Sequence, residues 1–176
     1  MSPRSTTLGL AAAAACAAVT ALAVPMPASA APAGSTGMDQ TGTGVSVDAC
    51  GGTSCANLGA TGRATGRPFA SADFELAVFN TTGVRPRAGE CVKVGLGLHL
   101  YQQRPTSMDT FHGEGQGKLC VAAGGVGTVT GRYSGGGVVG DPWTWGSGQG
   151  SLTATFGTDG TVTWRATGTY AVSPLK

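Results

Sequence analysis

Apolar residues alternate with polar or small residues in several stretches of the chain, most clearly from Cys91 to Tyr101. The apolar positions of this stretch are Val92, Val94, Leu96, Leu98 and Leu100. The positions between them are Lys93, Gly95, Gly97 and His99. Such alternation is typical of a β-strand with one buried face and one exposed face. Two glycines on the same face also indicate strong bending or a close neighbour at that point.

The C-terminal part of the chain predicts a β-hairpin. Residues Ser151 to Phe156 and Thr161 to Val172 flank a turn sequence in which Asp159 and Gly160 suit positive φ angles. The positions expected to face inwards are Leu152, Ala154, Phe156, Val162, Trp164, Ala166 and Tyr170. Threonine occupies most of the opposite positions, as expected for a sheet face exposed to water.

Other stretches predict further strands, and none after residue 30 has the apolar periodicity of an amphipathic helix. The remaining candidate strands are 74–78, which the turn sequence 80–83 closes, 119–123 and 126–133. We therefore predict an all-β fold, a small antiparallel β-barrel or β-sandwich of about six to eight strands.

The first thirty residues have the pattern of a secretory signal peptide. Arg4 precedes an apolar run from Leu8 to Val24, and small residues up to Ala30 form a cleavage site. The run is too short and too rich in alanine for a membrane span, so we expect secretion and cleavage after Ala30. Residues 31–47 hold few large apolar side chains and predict a flexible leader, followed by a single β domain over 48–176.

Cleavage would remove Cys16 and leave an even set of four cysteines. An even set in an exported protein predicts two disulfides. Three pairings are possible, and we favour Cys50–Cys55 and Cys91–Cys120. Zinc sites usually have tighter cysteine spacing or a histidine pair at fixed spacing, so we predict structural bridges and no metal site at these cysteines.

Composition narrows the function classes. The chain has 11 basic and 9 acidic residues among 176, and its charged fraction is 11%, against about 25% in ordinary soluble domains. A nucleic-acid partner bound through a basic stripe is therefore not expected. Glycine is abundant, at 31 residues, but has no three-residue period and forms no phosphate-binding motif, so we predict neither collagen nor a cofactor.

The densest polar cluster runs from Met108 to Gly115, within a connection predicted over residues 102–116. His112 and Glu114 alternate, so on an extended segment they would point the same way, and His99 of the preceding strand would approach them. With Asp109 or Glu114, the histidines would supply an acid–base pair or ligands for a divalent metal. No known catalytic signature accompanies them, and a solvated loop is the alternative.

Trp143 and Trp145 form a second candidate surface. Two tryptophans at i and i+2 of an extended segment lie on one face. Displayed outwards, they would form a stacking platform together with Tyr101, and packed inwards they would cover one end of the core.

These observations favour a secreted, non-catalytic binding or structural module. Its contact surfaces would be Trp143 with Trp145 and the 102–116 segment, and its partner a glycan, a small hydrophobic ligand or an extracellular protein. The main alternative is a small secreted hydrolase or barrel isomerase that uses His112 with Asp109 or Glu114. A third hypothesis is a protease inhibitor that presents a disulfide-framed loop.

Overall fold

Eight antiparallel strands close into one barrel in the computed structural model, which describes residues 35–47, 57–84, 86–140 and 144–174. The strands are β1 Ser35–Val47, β2 Leu58–Arg67, β3 Ala72–Asn80, β4 Cys91–Gln103, β5 Met108–Val121, β6 Gly127–Val139, β7 Thr144–Phe156 and β8 Thr161–Pro174. Each strand pairs with its neighbour in sequence, and β8 pairs with β1. The predictions of an all-β fold and of a small barrel are confirmed. The alternative prediction of a β-sandwich is not supported, because the strands form one closed sheet and not two packed sheets.

Side-chain alternation sends the apolar half of each strand into the barrel. In β3, which contains the candidate strand 74–78, the inward residues are Phe74, Leu76 and Val78, and each is at most 2% exposed. The inward positions predicted for the C-terminal hairpin are likewise buried. Other large buried side chains are Tyr170, Phe69, Phe111, Met38, Leu98, Leu100 and Leu119. Because burial of each such side chain is worth about 1.5–3 kcal/mol, the filled interior is the main source of stability.

Many strand glycines face inwards, where adjacent strands approach too closely for a side chain. A Cβ atom on Gly135 would overlap the carbonyl oxygen of His112 and the Cα of Gly113 on β5. A Cβ on Gly168 would overlap the Gln149 carbonyl oxygen in the same way. The narrow, strongly coiled barrel therefore requires glycine at these points.

The expectation of a flexible leader is wrong for residues 35–47, which form β1 and close the barrel between β8 and β2. The strand contributes few large side chains to the core, chiefly Met38 at 2% exposure and Gln40 at 0%. Its main contribution is backbone pairing on both edges, which apolar content does not reveal.

The long connection predicted over residues 102–116 is also wrong. Residues 102–103 end β4 and residues 108–116 belong to β5, so only residues 104–107 connect the two strands. Gly113, Gly115 and Gly117 resemble turn residues in the sequence, yet they are inward positions of β5. Gly115 and Gly117 lie against the β6 backbone, and Gly113 lies against the rings of Phe111 and Tyr133.

The Cys91–Cys120 bridge is confirmed, with an S–S distance of 2.07 Å between directly paired positions of β4 and β5. The predicted turn at 157–160 also joins β7 to β8. The predicted signal peptide with its cleavage site, the Cys50–Cys55 bridge and Trp143 lie outside the described residues.

The two ends of the barrel differ. At one end Phe69, in the β2–β3 connection, is buried and its carbonyl accepts a hydrogen bond of 2.9 Å from the Gln40 side chain. At the other end a pocket of about 450 Å³ is lined by Leu58, Leu119 and Phe156, among others.

Candidate functional site

The candidate site lies on the outside of the barrel wall, across β3, β4 and β5. We call this surface the β3–β5 face. Its residues are Glu75, Ala77 and Phe79 of β3, Gly95, Gly97, His99 and Tyr101 of β4, and His112 and Glu114 of β5. All occupy the positions that alternate with the core-facing side chains, so strand geometry alone turns them towards solvent.

A groove of about 460 Å³ runs along this face. Its floor is formed by small residues, Ala77, Gly95 and Gly97. The Phe79 side chain lies along this floor and remains 51% exposed. The groove thus combines an accessible aromatic ring with a low floor.

Polar side chains border the groove in one cross-strand row. Glu75 pairs in register with His99, and His99 pairs with His112. The two imidazoles contact each other through His112 Nδ1 and His99 Nε2, with ring centroids 4.1 Å apart. His112 Nε2 also lies 2.9 Å from Glu114 Oε1. Two carboxylates therefore flank a pair of imidazoles.

Tyr101 joins the row at its β3 end. Its hydroxyl lies 3.2 Å from His99 Nδ1 and forms a hydrogen bond with Glu75. Burial, followed by the hydrogen bond to Glu75 and its charge, raises the pKa of Tyr101 to about 12, so the phenol stays protonated and donates to the carboxylate. Burial and then the neighbouring His112 lower the pKa of His99 below its usual 6.5, so that ring is neutral at neutral pH.

The structure brings His99, His112 and Glu114 together but leaves Asp109 apart. Asp109 is 2% exposed and faces the barrel interior, because odd and even positions of β5 point to opposite sides. Its carboxylate accepts hydrogen bonds from Arg104 Nε and, at 2.8 Å, from the Gly140 backbone. The predicted pairing of Asp109 with His112 is therefore wrong, and Asp109 anchors the β4–β5 turn.

Trp145 faces outwards and is 47% exposed. Its ring lies over Gly136, the β6 residue that pairs with His112. The sequence left open whether this tryptophan packs inwards or is displayed outwards, and in the structure it is displayed outwards. Its ring therefore lies on the β6 side of His112.

Sequence reasoning missed Glu75 and Phe79 as site residues. Both alternate with buried residues of β3, which marks them as outward positions in the sequence. Their proximity to His99 follows only from the β3–β4 register, which the sequence does not state. The exposed phenylalanine at an outward strand position was the one available signal.

Among residues 35–47, 57–84, 86–140 and 144–174, no group of three or more His, Cys, Asp or Glu side chains is placed to hold a metal ion. The reason at the histidine row is geometric, because the two nitrogens of His112 face different neighbours, His99 and Glu114.

Comparison of the chain with protein-family models, curated proteins and solved structures gave no match. Within the described ranges, the structure has no helix with the length and apolar character needed to span a membrane.

Proposed function

We propose that this protein is a secreted, non-catalytic binding module whose β3–β5 face binds a glycan. The groove on this face carries the proposal, since it sets an exposed aromatic ring beside a low floor bordered by carboxylates and imidazoles. An aromatic ring packs against the C–H face of a sugar ring. Carboxylate oxygens accept hydrogen bonds from sugar hydroxyls, and a few such polar groups fix a ligand's orientation.

The glycines of the floor support this proposal, because the Phe79 side chain lies over them beside the groove. A Cβ atom on Gly95 or Gly97 would come no closer than 3.6 Å to Phe79, an ordinary contact distance. Glycine inside a strand costs roughly 0.5–1 kcal/mol relative to alanine. The two glycines thus form a low floor on which the Phe79 side chain rests, and this arrangement presents the ring beside the groove.

Trp145 extends the surface on the far side of the histidines. The Phe79 ring lies over β4 and the Trp145 ring over β6, which are two strand spacings, or about 10 Å, apart across the sheet. A short oligosaccharide covers this span with its hydroxyls over the polar row between the two rings. The proposed ligand is accordingly a chain of sugars rather than a single one.

The test is a depletion assay of the purified protein with insoluble cellulose, chitin and xylan. We expect binding to at least one of them and a loss of about tenfold or more in affinity for Phe79→Ala and Trp145→Ala. Val45→Ala is the matched control, since Val45 is an exposed apolar residue on β1, away from the groove. Binding to none of the polymers, or equal losses in Phe79→Ala and Val45→Ala, would overturn the proposal.

The contact between His112 and Glu114 favours one second candidate, a small hydrolase that uses His112 as general acid or base. The same incubations distinguish the two functions when the soluble fraction is analysed for released oligosaccharides. Release by the wild type that Glu114→Gln abolishes would assign a hydrolase, and binding without release assigns the binding module.

A further inference from the structure

We propose that the glycan bound by the β3–β5 face is an anionic polysaccharide, whose carboxylate or sulfate groups bind to Lys93, Lys118 and Arg132. We call these three residues the cationic cluster. They occupy exposed positions of the neighbouring strands β4, β5 and β6. The inference rests on the proposed function, because it names the class of glycan that the groove takes.

Lysine is rare in this chain, and two of its three lysines are direct cross-strand partners. Lys93 of β4 pairs in register with Lys118 of β5, and both are exposed. Directly opposite side chains begin about 4.5–5.5 Å apart, and like charges in such a pair repel each other. The Cys91–Cys120 disulfide joins the adjacent pair on the same side of the two strands, so it holds this register. An anion that lies between the two ammonium groups relieves the repulsion.

The cationic cluster has no ion-pair partner among the residues that the structure describes. Two acidic residues belong to β4, β5 and β6. Asp109 faces the barrel interior, and Glu114 lies four residues from Lys118, about 13 Å along β5. The Glu114 carboxylate contacts His112 instead, at 2.9 Å. The three cations are therefore available to an external anion.

The cationic cluster adjoins the groove at the end away from the histidines. Lys93 lies two residues, or about 7 Å, beyond Gly95 of the groove floor on the outer side of β4. Gln116 lies between Gly95 and Arg132 in one cross-strand row, and its exposed amide donates and accepts hydrogen bonds. A sugar chain that packs on Phe79 over Gly95 therefore reaches the cluster with a neighbouring sugar.

The side chains of the cluster suit carboxylate and sulfate oxygens. An ammonium group offers three hydrogen-bond donors, and a guanidinium group binds such oxygens in pairs. The formal net charge of the chain is only +2, so the attraction is local and not a property of the whole surface. A polyanion that does not fit the groove, such as double-stranded DNA, gains only the charge contacts.

The test compares polygalacturonate with its fully methyl-esterified form, and dextran sulfate with dextran, by isothermal titration calorimetry in low-salt buffer. At least one charged polymer should bind about tenfold more tightly than its neutral form, and added salt should reduce this preference. Whichever pair shows the preference identifies carboxylate or sulfate as the group bound. The double variant Lys93→Gln with Lys118→Gln should lose it. The matched control is Arg63→Gln with Arg165→Gln, which removes the same charge from arginines already paired with aspartates.

No preference for either charged polymer, or an equal loss in the two double variants, would overturn the inference. Tighter binding of double-stranded DNA than of either charged polysaccharide would also overturn it, and circular dichroism verifies that each variant keeps the barrel. Equal affinity for charged and neutral polymers, lowered in both cases by Phe79→Ala, would reject this inference alone. Charge-dependent binding that Phe79→Ala leaves unchanged would reject the groove, and with it the proposed function.

Discussion

Two outward surfaces of the same barrel carry different chemistry. On β7, β8 and β1 the outward positions form what we call the threonine face. Its members are Ser151, Thr153, Thr155, Thr163, Arg165, Thr167, Asp39, Thr41 and Thr43. On the β3–β5 face the equivalent positions hold glycine, alanine, histidine, glutamate, tyrosine and an exposed phenylalanine.

This difference between the two faces shows that outward strand positions tolerate very different side chains. They do not fill the core, so their chemistry is not set by packing. Threonine at such positions favours the strand, because its β-branched side chain fits a pleated surface exposed to water. Gly95 and Gly97 have low strand propensity, and the Phe79 side chain lies over both of them. Under the proposed glycan-binding function, the small residues of this face leave room for a ligand beside the Phe79 ring.

The largest effect is expected from the glycines behind the site. Gly135→Ala should lower the free energy of unfolding by about 3 kcal/mol, because its Cβ would overlap the β5 backbone at His112 and Gly113. Gly97→Ala, on the groove floor, should change stability by at most about 1 kcal/mol. Urea unfolding of both variants measures the two changes in the free energy of unfolding. Equal decreases would contradict the prediction that inward glycines are required by packing and outward glycines are not.

The second effect concerns the Cys91–Cys120 disulfide, which joins β4 to β5. Joint replacement of Cys91 and Cys120 by alanine should cost about 2–4 kcal/mol of stability, since it frees a long loop in the unfolded chain. The control is the double variant Thr155→Ala with Thr163→Ala, a directly paired couple on the threonine face. That control should cost less than about 1 kcal/mol per residue. Guanidinium unfolding would contradict the prediction if the threonine pair cost as much as the bridge.

A third prediction separates binding from stability. Gly97→Leu should fill the groove floor and weaken glycan binding about tenfold, which corresponds to about 1.4 kcal/mol, while the barrel stays folded. Thr153→Leu adds a similar side chain to the threonine face and should leave glycan affinity unchanged. Affinity from depletion isotherms, with Tm as the folding check, measures both. An equal loss in the two variants would mean that the ligand does not use the groove.

The smallest effect lies at the barrel seam on the threonine face. A hydrogen bond from Arg165 holds the pKa of Asp39 below its usual 3.8, with both contacts at 2.9 Å. Because the folded-state pKa is depressed, the pair stabilises the barrel above pH 3.8, and this contribution disappears as pH falls through the lowered value.

The expected result is that Arg165→Gln lowers Tm at neutral pH and that the difference from wild type shrinks in acid. The shift should be small and reduced by salt, since both side chains are exposed. Thermal unfolding over a pH series measures it. A Tm difference between the wild type and Arg165→Gln that increases on acidification would contradict the prediction.

Local alternation was enough to predict β3, most of β4 and the C-terminal hairpin, because each has large apolar residues at every second position. The alternation did not predict β1 or the first half of β5, because these segments lack large apolar residues at every second position. Their inward positions are mainly glycine or isolated side chains such as Met38 and Phe111, which look like loop sequence. The need for glycine arises from the close approach of neighbouring strands, a property of the closed barrel and not of any one segment.

The sequence by itself determined the core-facing side chains of β3, β4 and the C-terminal hairpin, the all-β class of the fold, and the alternation that turns His112 and Glu114 to one side. The tertiary structure decided which strands are neighbours, and thereby placed His99 against His112 and Phe79 over Gly95 and Gly97. The physical reason is that the side of the sheet to which a residue points follows locally from the two-residue strand repeat. The register between strands, by contrast, depends on closing all eight strands around one filled interior.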